Sequence, residues 1–475
     1  MKKAIYSIFF SIIILIIFLN IKITSSKYII KTECKPKVVI SFDNISPEIT
    51  ITDINGKNIN GIDNQAIEKA VISYLDELSG VALATYKYNP DEEEFSDIEC
   101  TQLNNDEIFS KKGWYEIEVI DNAKNITIFH FCLSPAVCKI EEKYFTSITS
   151  AVESVSSNYD KTMEVVMLTN TEEDVNINEN RKILLNINDY EITGTFTIEE
   201  LSTLYTKNGN IKSITNNPVF SVCGDLEIIN GEYTAENANT LEIKGGICEI
   251  GDVSLKQTSS GYYYTVLVTL GGKLNIKGNA TITGNYIGIG TEKKSTTKIA
   301  NGVINTNICA AAVFSNSSLE IGENVQLNCN GGSSTVTAKA DLVINGASIN
   351  QYGTGTALNV ESGTTQINGK SKISSCGKCA VNVTYRGSVD INGGEIINIG
   401  EGAALIMKSS GTVNVNEDVS MVSSGEYTIY EDSESAIIKI VGGIITNTNS
   451  SGYAIYSKRG TIEVKNAIID GKTLY

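Results

Sequence analysis

The chain contains very little histidine, arginine and proline for its length. Its 475 residues include one histidine, His130, and three arginines, Arg181, Arg386 and Arg459. A single histidine excludes histidine-rich metal sites and Ser-His-Asp catalysis of the usual kind, and so few arginines argue against bidentate recognition of acidic groups. Five prolines against 40 glycines exclude collagen and a proline-rich linker protein.

The charge balance is strongly acidic. There are 55 acidic and 38 basic residues, a net charge of −17, and no long basic run. Nucleic acid is therefore excluded as a partner, because phosphate binding needs a cationic face. Apolar residues make up 41 % of the chain and charged residues 20 %, which supports a sizeable core. The length predicts two or three domains unless part of the chain is a repeat array.

The first segment has the pattern of a targeting signal. Lys2 and Lys3 precede the uncharged run Ala4–Leu19, which is the order of a secretory signal. Residues 1–26 are therefore predicted to be a signal peptide or a signal anchor. Thr24–Ser26 is only a passable cleavage site, so by a narrow margin we predict an uncleaved helix. This helix would tether the protein to the membrane, with the remainder outside.

Ten cysteines suit an exported chain, but they are spread along it without the spacing of a small disulfide-rich domain. Cys376 and Cys379 form a CxxC, and Cys132 lies close to Cys138. Neither pair has the second pair that a zinc site needs. We expect inward thiols in an elongated β-coil, with one or two disulfides as the alternative and their pairing left open.

Residues 32–134 are predicted to form a β-sandwich. The clearest signal is a hairpin, in which the alternating runs Trp114–Ile120 and Ile126–Phe131 flank the polar turn Asp121–Asn125. His130 lies on the second run, where a structural position is expected. The acidic run Asp91–Glu94 is interpreted as a solvated loop with at most weak calcium binding, because its spacing matches no known calcium loop.

Several motifs of this region resemble the bacterial immunoglobulin-like modules of surface proteins. They are Ser79–Val81, Ala84–Tyr86, Gly113–Tyr115 and the turn Asp121–Asn125. The resemblance covers about residues 37–133. Lys124 stands where those modules usually have glycine. The resemblance implies a spacer or binding sandwich without enzymatic activity.

The rest of the chain repeats one phrase. A small residue is followed by alternating apolar residues, then Asn-Gly or Gly-Gly, then Ile or Val, as in Asp341–Ile349, Gly387–Ile396 and Gly460–Ile468. The mean interval between phrase starts is 23.6 residues, a period typical of a solenoid. The predicted starts are residues 224, 246, 272, 296, 317, 340, 363, 387, 411, 436 and 460.

Apolar and polar residues alternate with a period of two, and glycine and asparagine recur between the alternating runs. This pattern predicts a parallel β-helix with glycine and asparagine at its corners, in which inward Ile, Val and Leu stack from coil to coil. Tyr144–Val155 has the apolar spacing of a helix that Ser147 could cap. This helix would close the open first coil. Strands are predicted at Val165–Leu168, Val175–Ile177 and Ile183–Ile187.

This helix-then-strand entry and the later Asn-Gly-Gly coils resemble the pectin-lyase-like right-handed parallel β-helix superfamily. The resemblance covers residues 138–475. It implies an all-β right-handed solenoid with a short N-terminal capping helix. It is specific for the fold and far less specific for an activity.

Polysaccharide lyases and hydrolases of that superfamily use clustered carboxylates with Arg, Lys or His. Here the weak catalytic candidates are Arg386 and Asp390, and a solvated corner charge beside an outward carboxylate is the preferred interpretation. Arg459 with Glu463 is the other such pair. The run Glu172–Asp174 is interpreted as a solvated loop, where calcium binding would again be weak. No cofactor and no metal site are predicted.

The cluster Tyr262, Tyr263 and Tyr264 is a candidate for stacking on a ligand. Because alternate residues of a strand point inward, either Tyr263 alone or Tyr262 with Tyr264 would be free. A structural role is the preferred interpretation of these rings.

Together these patterns predict an exported cell-surface protein whose β-helix rod projects outward. The preferred function is non-catalytic, as an adhesin-like or envelope component that binds glycans or surface proteins. The alternative is a polysaccharide lyase or glycoside hydrolase acting on acidic polysaccharide. A third interpretation is a purely structural stalk.

Overall fold

The computed structural model describes residues 28–29, 39–40, 43–54, 56, 58, 69–90, 95–133, 136–141, 143–157 and 160–475. The chain divides into two compact units, residues 1–136 and 137–475. The predicted signal or anchor, residues 1–26, lies outside the described residues, as does the acidic run 91–94. Within the described ranges, no helix has the length and apolar character needed to span a bilayer.

The first unit is built from antiparallel strands. Its described strands, numbered in chain order, are β1 (Tyr28–Ile29), β2 (Val39–Ile40), β3 (Glu48–Asp53), β4 (Ala70–Leu75), β5 (Val81–Asn89), β6 (Thr101–Gln102), β7 (Glu107–Phe109), β8 (Gly113–Asp121) and β9 (Ile126–Leu133). β1 pairs with β2. The others form two sheets, in the orders β3-β4-β7 and β6-β5-β8-β9.

These two sheets share one apolar core. Ile51 and Ile72 come from the three-stranded sheet, and Tyr115 and Ile117 come from the four-stranded sheet. The predicted hairpin is confirmed, because β8 pairs antiparallel with β9 from Gly113 to Ile120. Alternate residues of β8 are buried, as the period of two requires.

The second unit is a parallel β-solenoid, which confirms the predicted solenoid; it has about 13 coils, where the sequence predicts eleven coil starts. It contains the short helix α1 (Ile148–Ser154). The strands of its larger sheet are β10 (Cys138–Ile140), β11 (Lys143–Phe145), β12 (Met163–Met167), β13 (Thr171–Glu172), β15 (Lys182–Asn186), β16 (Glu191–Thr193), β18 (Thr203–Lys207), β19 (Asn210–Ser213), β21 (Asp225–Ala235), β23 (Ile247–Gln257), β25 (Lys273–Ile276), β26 (Ala280–Gly284), β28 (Thr296–Thr306), β30 (Ser318–Cys329), β32 (Asp341–Asn345), β33 (Ser348–Gln351), β35 (Thr364–Asn368), β36 (Lys372–Ser375), β38 (Ser388–Ile391), β39 (Gly394–Asn398), β41 (Gly411–Val415), β42 (Val419–Ser423), β44 (Ala436–Ile440), β45 (Ile444–Asn447), β47 (Thr461–Val464) and β48 (Ile468–Asp470).

The other face of the solenoid is the 14-stranded sheet, counted over the described part of the chain. Each full coil contributes one strand to it. Its strands are β14 (Val175–Ile177), β17 (Phe196–Ile198), β20 (Phe220–Val222), β22 (Leu241–Lys244), β24 (Tyr264–Thr269), β27 (Ile287–Thr291), β29 (Cys309–Val313), β31 (Ser334–Ala338), β34 (Thr356–Val360), β37 (Cys379–Val383), β40 (Ala403–Met407), β43 (Tyr427–Glu431), β46 (Tyr453–Ser457) and β49 (Lys472–Leu474).

Strand register confirms ten of the eleven predicted coil starts as equivalent positions. The start at residue 296 is wrong by one, because Lys273 pairs with Thr296 and residue 295 is therefore the equivalent of residue 272. Earlier coils also precede residue 224, since Lys182 pairs with Thr203 and Thr203 pairs with Asp225. The first of them is obscured in the sequence because Arg181 stands where later coils have glycine, alanine or serine.

One corner of each later coil carries a buried polar side chain. In every case it accepts a hydrogen bond from the backbone N–H two residues onward and donates one to a carbonyl of the preceding coil. Without these bonds the corner carbonyls and N–H groups would be buried and unsatisfied. This polar column consists of Gln351, Ser375, Asn398, Ser423 and Asn447.

The predicted helix at the solenoid entrance is confirmed. Ser147 caps α1, with its hydroxyl accepting the Ser150 N–H at 3.0 Å. The Glu173 carboxylate accepts the N–H groups of Ile148 and Thr149, each at 2.8 Å. A carboxylate at a helix N-terminus is stabilising, so the interpretation of Glu172–Asp174 as a solvated loop is wrong for Glu173.

Eight of the described cysteines are free thiols: Cys100, Cys138, Cys223, Cys248, Cys309, Cys329, Cys376 and Cys379. The CxxC is therefore not a disulfide. Cys138 and Cys248 lie in the solenoid core, as predicted for inward thiols. Cys376 is exposed.

Candidate functional site on the 14-stranded sheet

The outer face of the 14-stranded sheet carries the largest set of outward aromatic rings in the described solenoid. From β24 to β46, the second and third residues of each strand are buried, whereas the fourth faces outward in most coils. The first and fourth residues of these strands form two columns along the rod, and the first residues are buried at Ile287, Cys309, Thr356, Cys379 and Ala403. The first residues are Tyr264, Ile287, Cys309, Ser334, Thr356, Cys379, Ala403, Tyr427 and Tyr453, and the fourth are Leu267, Gly290, Ala312, Thr337, Asn359, Asn382, Ile406, Tyr430 and Tyr456.

Four half-buried tyrosines, here called the tyrosine quartet, lie together on two neighbouring coils. They are Tyr427, Tyr430, Tyr453 and Tyr456. Register places Tyr427 beside Tyr453 and Tyr430 beside Tyr456. The rings of Tyr430 and Tyr456 are stacked, with 5.8 Å between centroids and 6° between planes. The quartet therefore presents a continuous aromatic surface rather than isolated rings.

Charged groups fix the polar ends of two quartet rings. The Tyr427 phenol donates a hydrogen bond to a Glu426 carboxylate oxygen at 2.7 Å. The Tyr430 phenol donates to Asp432 at 3.2 Å, and Arg459 Nε donates to the other Asp432 oxygen at 2.7 Å. Because both hydroxyls are held at their ends, the ring orientations are constrained before any ligand arrives.

These contacts also raise the pKa of both phenols above its ordinary value. The hydrogen bond to Glu426, together with burial, raises the pKa of Tyr427. Burial, reinforced by Asp432, raises the pKa of Tyr430. Desolvation works against ionisation of Asp432, but Arg459 and neighbouring donors outweigh it and lower the pKa of that carboxyl.

A polar groove of about 410 Å³, here called the central groove, adjoins the quartet. Its lining includes Ser334, Thr356, Asn359, Lys378, Asn382 and Lys408. On its floor, Asn382 Nδ2 donates to Asn359 Oδ1 at 2.7 Å. The Lys408 ammonium lies 5.1 Å from the centre of the Tyr430 ring, a cation–π distance. Lys408 thus belongs to both the groove and the edge of the quartet.

The central groove is cationic although the chain as a whole is acidic. The ion pairs of the described residues include neither Lys378 nor Lys408, whereas Lys339 is paired with Glu361 at 3.1 Å. Burial raises the pKa of the Cys379 thiol between these lysines to about 11. The thiol is therefore protonated at neutral pH and is not an activated nucleophile.

A second group of rings, here called the N-side cluster, lies on the same face. It consists of Tyr262, Tyr264, Tyr286 and Phe314, the last three packed against a small apolar patch of Ile287, Cys309 and Ala312. Tyr286 contacts Tyr262 at 5.3 Å and Tyr264 at 5.9 Å between centroids. Gly290 allows this arrangement, because a Cβ there would clash with the Tyr264 ring.

The structure thus places the predicted stacking residues in two environments. Tyr262 is 86 % exposed and shares a cluster with Tyr264. Tyr263 makes none of the ring contacts found among the described residues. Of the two alternatives, Tyr263 alone or Tyr262 with Tyr264, the ring contacts favour the second, and the binding of a ligand by these residues stays a prediction.

The catalytic candidates Arg386 and Asp390 form no ion pair among the described residues. Asp390 accepts a hydrogen bond from Asn414 Nδ2 at 2.7 Å within a ladder of outward polar residues. Among the described residues the arginine ion pairs are Arg181 with Glu179 and Arg459 with Asp432, so Arg386 is not paired with Asp390. Arg459 likewise bonds Asp432 of the preceding coil rather than Glu463.

Three carboxylates of the first unit could hold a cation. One oxygen from each of Asp43, Asp76 and Asp121 lies within 4.8 Å of the others, and Asp121 is fully buried. The Ser79 N–H donates to both Asp43 and Asp76, and Asn125 Nδ2 donates to Asp121 at 2.7 Å. These donors already offset part of the negative charge. Sequence reasoning missed the set because its members lie far apart along the chain.

The tyrosine quartet was also missed, although the sequence carries a signal for it. Tyr-x-x-Tyr occurs at residues 427–430 and again at 453–456, at equivalent positions of successive coils. The repeated sequence phrase that identifies the coils lies on the larger sheet, where the small residue and the Asn-Gly corner recur. Aligning the 14-stranded sheet instead would have placed the four tyrosines side by side.

Comparison of the chain with models of known protein families and with curated proteins finds no match. The chemistry of this face is therefore the basis for a function. Aromatic rings lie at both ends of it, and hydroxyl, amide and ammonium groups lie between them. These are the groups that bind sugar rings and their hydroxyls.

Proposed function

We propose that this protein is an exported cell-surface β-helix that binds glycans through the outer face of the 14-stranded sheet, without catalysis. The solenoid would be a right-handed, pectin-lyase-like β-helix, and the first unit an immunoglobulin-like spacer. Right-handed connections between parallel strands are strongly preferred, which supports that handedness. Residues 1–26 would tether the protein to the membrane.

The tyrosine quartet beside the central groove carries the proposal. A flat aromatic surface stacks on the apolar face of a sugar ring, while the hydroxyls of that sugar need donors and acceptors close by. Lys408 supplies a donor beside the Tyr430 ring, and Asn359 and Asn382 supply further donors and acceptors two to three coils along the same face. This combination of aromatic rings and polar side chains favours a glycan as the ligand. An apolar protein surface would leave the polar side chains of the groove without hydrogen-bond partners.

The test is binding of the full chain to immobilised galacturonan, alginate, chitin and cellulose, with wild type compared with Tyr430→Ala and Tyr456→Ala. We expect wild type to bind at least one of them and each variant to bind about fivefold more weakly, because one stacking contact is worth about 1 kcal/mol. The matched control is Tyr205→Ala, a half-buried tyrosine on β18 of the larger sheet. Absence of binding to all four polymers contradicts the proposal.

The same samples separate binding from catalysis. In the alternative, a polysaccharide lyase or glycoside hydrolase, incubation would release unsaturated or reducing sugar from galacturonan or alginate. We expect no release, with or without calcium. Turnover that Arg386→Ala abolishes would establish the enzyme instead.

A further inference from the structure

We infer that the tyrosine quartet is a site of oxidative cross-linking, at which a one-electron oxidant generated from peroxide joins Tyr427 to Tyr456 through a carbon–carbon bond. The bond would link two successive coils covalently. This inference goes beyond the proposed function and does not depend on it. Three features of the quartet carry it: ring contact between coils, a carboxylate that can accept a phenolic proton, and the positions of nearby cations.

The rings of Tyr427 and Tyr456 are in contact although they belong to different coils. Their centroids are 5.0 Å apart and their planes make an angle of 51°. The other ring contacts found between β43 and β46 are longer, at 5.8 Å and 6.1 Å. Both side chains are half-buried, so part of each ring is open to a small oxidant. Two directly bonded rings have their centres only slightly closer than this pair, so coupling needs little movement of either strand.

One of these two phenols already has a group that can accept its proton. Loss of an electron makes a phenol a strong acid, so oxidation at neutral pH is easiest where a base lies within hydrogen-bond reach. The Tyr427 phenol donates to a Glu426 carboxylate oxygen at 2.7 Å. Tyr430 donates to Asp432, but Arg459 also binds that carboxylate, at 2.7 Å, and weakens it as a base. Tyr427 is therefore expected to be oxidised first.

Nearby cations make the other two rings of the quartet harder to oxidise. The Lys408 ammonium lies 5.1 Å from the centre of the Tyr430 ring, and the Lys472 ammonium lies 6.0 Å from the centre of the Tyr453 ring. A positive charge beside a ring holds its electrons more strongly. The remaining two rings have no such contact among the described residues. The two rings that lose an electron most easily are thus also neighbours.

The reaction balances with hydrogen peroxide and a haem peroxidase as the source of the one-electron oxidant. Each tyrosine loses one electron and its phenolic proton, which gives two tyrosyl radicals. The radicals form a bond between the ring carbons beside the two hydroxyl groups. The hydrogen on each of those carbons then moves as a proton to the phenolic oxygen. The pair has lost two hydrogen atoms, and one peroxide has become two waters.

The experiment oxidises the dilute full chain with hydrogen peroxide and a haem peroxidase. We expect monomers that have lost the mass of two hydrogen atoms and show dityrosine fluorescence, because rings held in contact react faster than rings of separate chains. Trypsin cleaves after Lys408, Lys439 and Lys458, so Tyr427 and Tyr456 lie in separate peptides that the cross-link joins. Hydrogen exchange in β43 and β46 should slow by about tenfold or more, because the link opposes local opening.

Variants of the quartet test which groups react. Tyr456→Phe keeps the ring but removes the phenol, and it should remove most of the joined peptide. Tyr453→Phe is the matched control on the same strand and should leave the yield unchanged. Glu426→Gln keeps an acceptor for the Tyr427 hydrogen bond but removes the base, so joining should be slower. Added imidazole, a soluble base, should restore the rate in that variant, which a merely structural role of Glu426 does not predict.

The N-side cluster is an internal control. Tyr262 and Tyr286 are in contact at 5.3 Å, and trypsin places them in separate peptides, residues 257–273 and 278–293. Neither phenol donates to a carboxylate within the described part of the chain, so joining of these peptides should be slower.

Three results would overturn the inference: equal joining at the two clusters, undiminished joining in Tyr456→Phe, or covalent dimers as the main product. None of them affects glycan binding by the unoxidised chain, which is measured separately. Failure of the cross-link and failure of the proposed function are therefore distinguishable.

Discussion

The two units of this chain bury apolar residues in opposite ways. In the solenoid, each inward position has the same kind of neighbour in the coils before and after it, so Ile344 stacks between equivalent residues such as Ile321 and Ile367. In the first unit, Tyr115 packs against residues such as Phe109 and Phe131 in arrangements that occur once. One core is repeated along an axis, and the other is closed around a centre.

This difference determines how damage should spread. A repeat solenoid is stabilised by each coil and its contacts with the next, so a lesion acts mainly on its neighbours. A small sandwich unfolds as a cooperative whole.

The first prediction places an aspartate in each core. Ile344→Asp in the solenoid and Ile117→Asp in the first unit both put an uncompensated charge at a fully buried position, at a cost of about 4 kcal/mol or more. Hydrogen exchange should rise in the coils nearest Ile344, from about residue 319 to residue 391, in the first variant. In the second it should rise across all described strands from β3 to β9.

The control for the solenoid is Val343→Asp, one residue away on the same strand, where the side chain faces outward. It should change exchange very little. If Ile344→Asp raises exchange equally from residue 137 to residue 475, the solenoid is one cooperative unit and the contrast is wrong.

The repeated core is also why the solenoid could be predicted from the sequence. Each inward position is sampled in successive coils, so an error of one residue at the start of a single coil, residue 296, did not hide the period. The first unit offered only one example of each contact. Its hairpin was predicted because β8 and β9 are adjacent in sequence, whereas the meeting of Asp43, Asp76 and Asp121 depends on long-range folding that no local pattern shows.

The second prediction concerns the polar column. Asn398→Ala removes the acceptor of the Gly400 N–H and the donor to the Gly377 carbonyl, which leaves both groups at a buried corner. We expect a loss of about 1–3 kcal/mol in the free energy of unfolding. Chemical denaturation of the full chain, followed by circular dichroism, measures it.

Asn398→Ser is the matched rescue, because Ser375 and Ser423 make the same two bonds in the adjacent coils. It should recover most of the lost stability. Asn392→Ala, at an exposed rung of the outward ladder, should cost less than Asn398→Ala. Equal losses at the two asparagines would show that the corner bonds have no special importance.

The candidate site was only partly predictable, for a related reason. Tyr262 and Tyr264 were found because adjacent tyrosines are visible in the sequence. The quartet was not, because Tyr427 and Tyr453 meet only after the register of β43 and β46 is known. Binding residues on a solenoid face repeat at the coil interval, so their detection needs an alignment of the coils that is as accurate as the structure.

The last prediction returns to the first unit, where a turn that occurs once can be improved without affecting anything else. Lys124 has φ = 75° in the turn between β8 and β9, a left-handed conformation that glycine adopts without strain. Lys124→Gly should therefore raise the free energy of unfolding of this unit by up to about 1 kcal/mol, measured by its thermal midpoint.

Lys112→Gly is the control, since Lys112 lacks a positive φ and glycine there only adds freedom to the unfolded chain. A loss at Lys124, or equal changes at Lys124 and Lys112, would show that the turn is not strained. The solenoid should melt identically in both variants, because no coil contains either lysine.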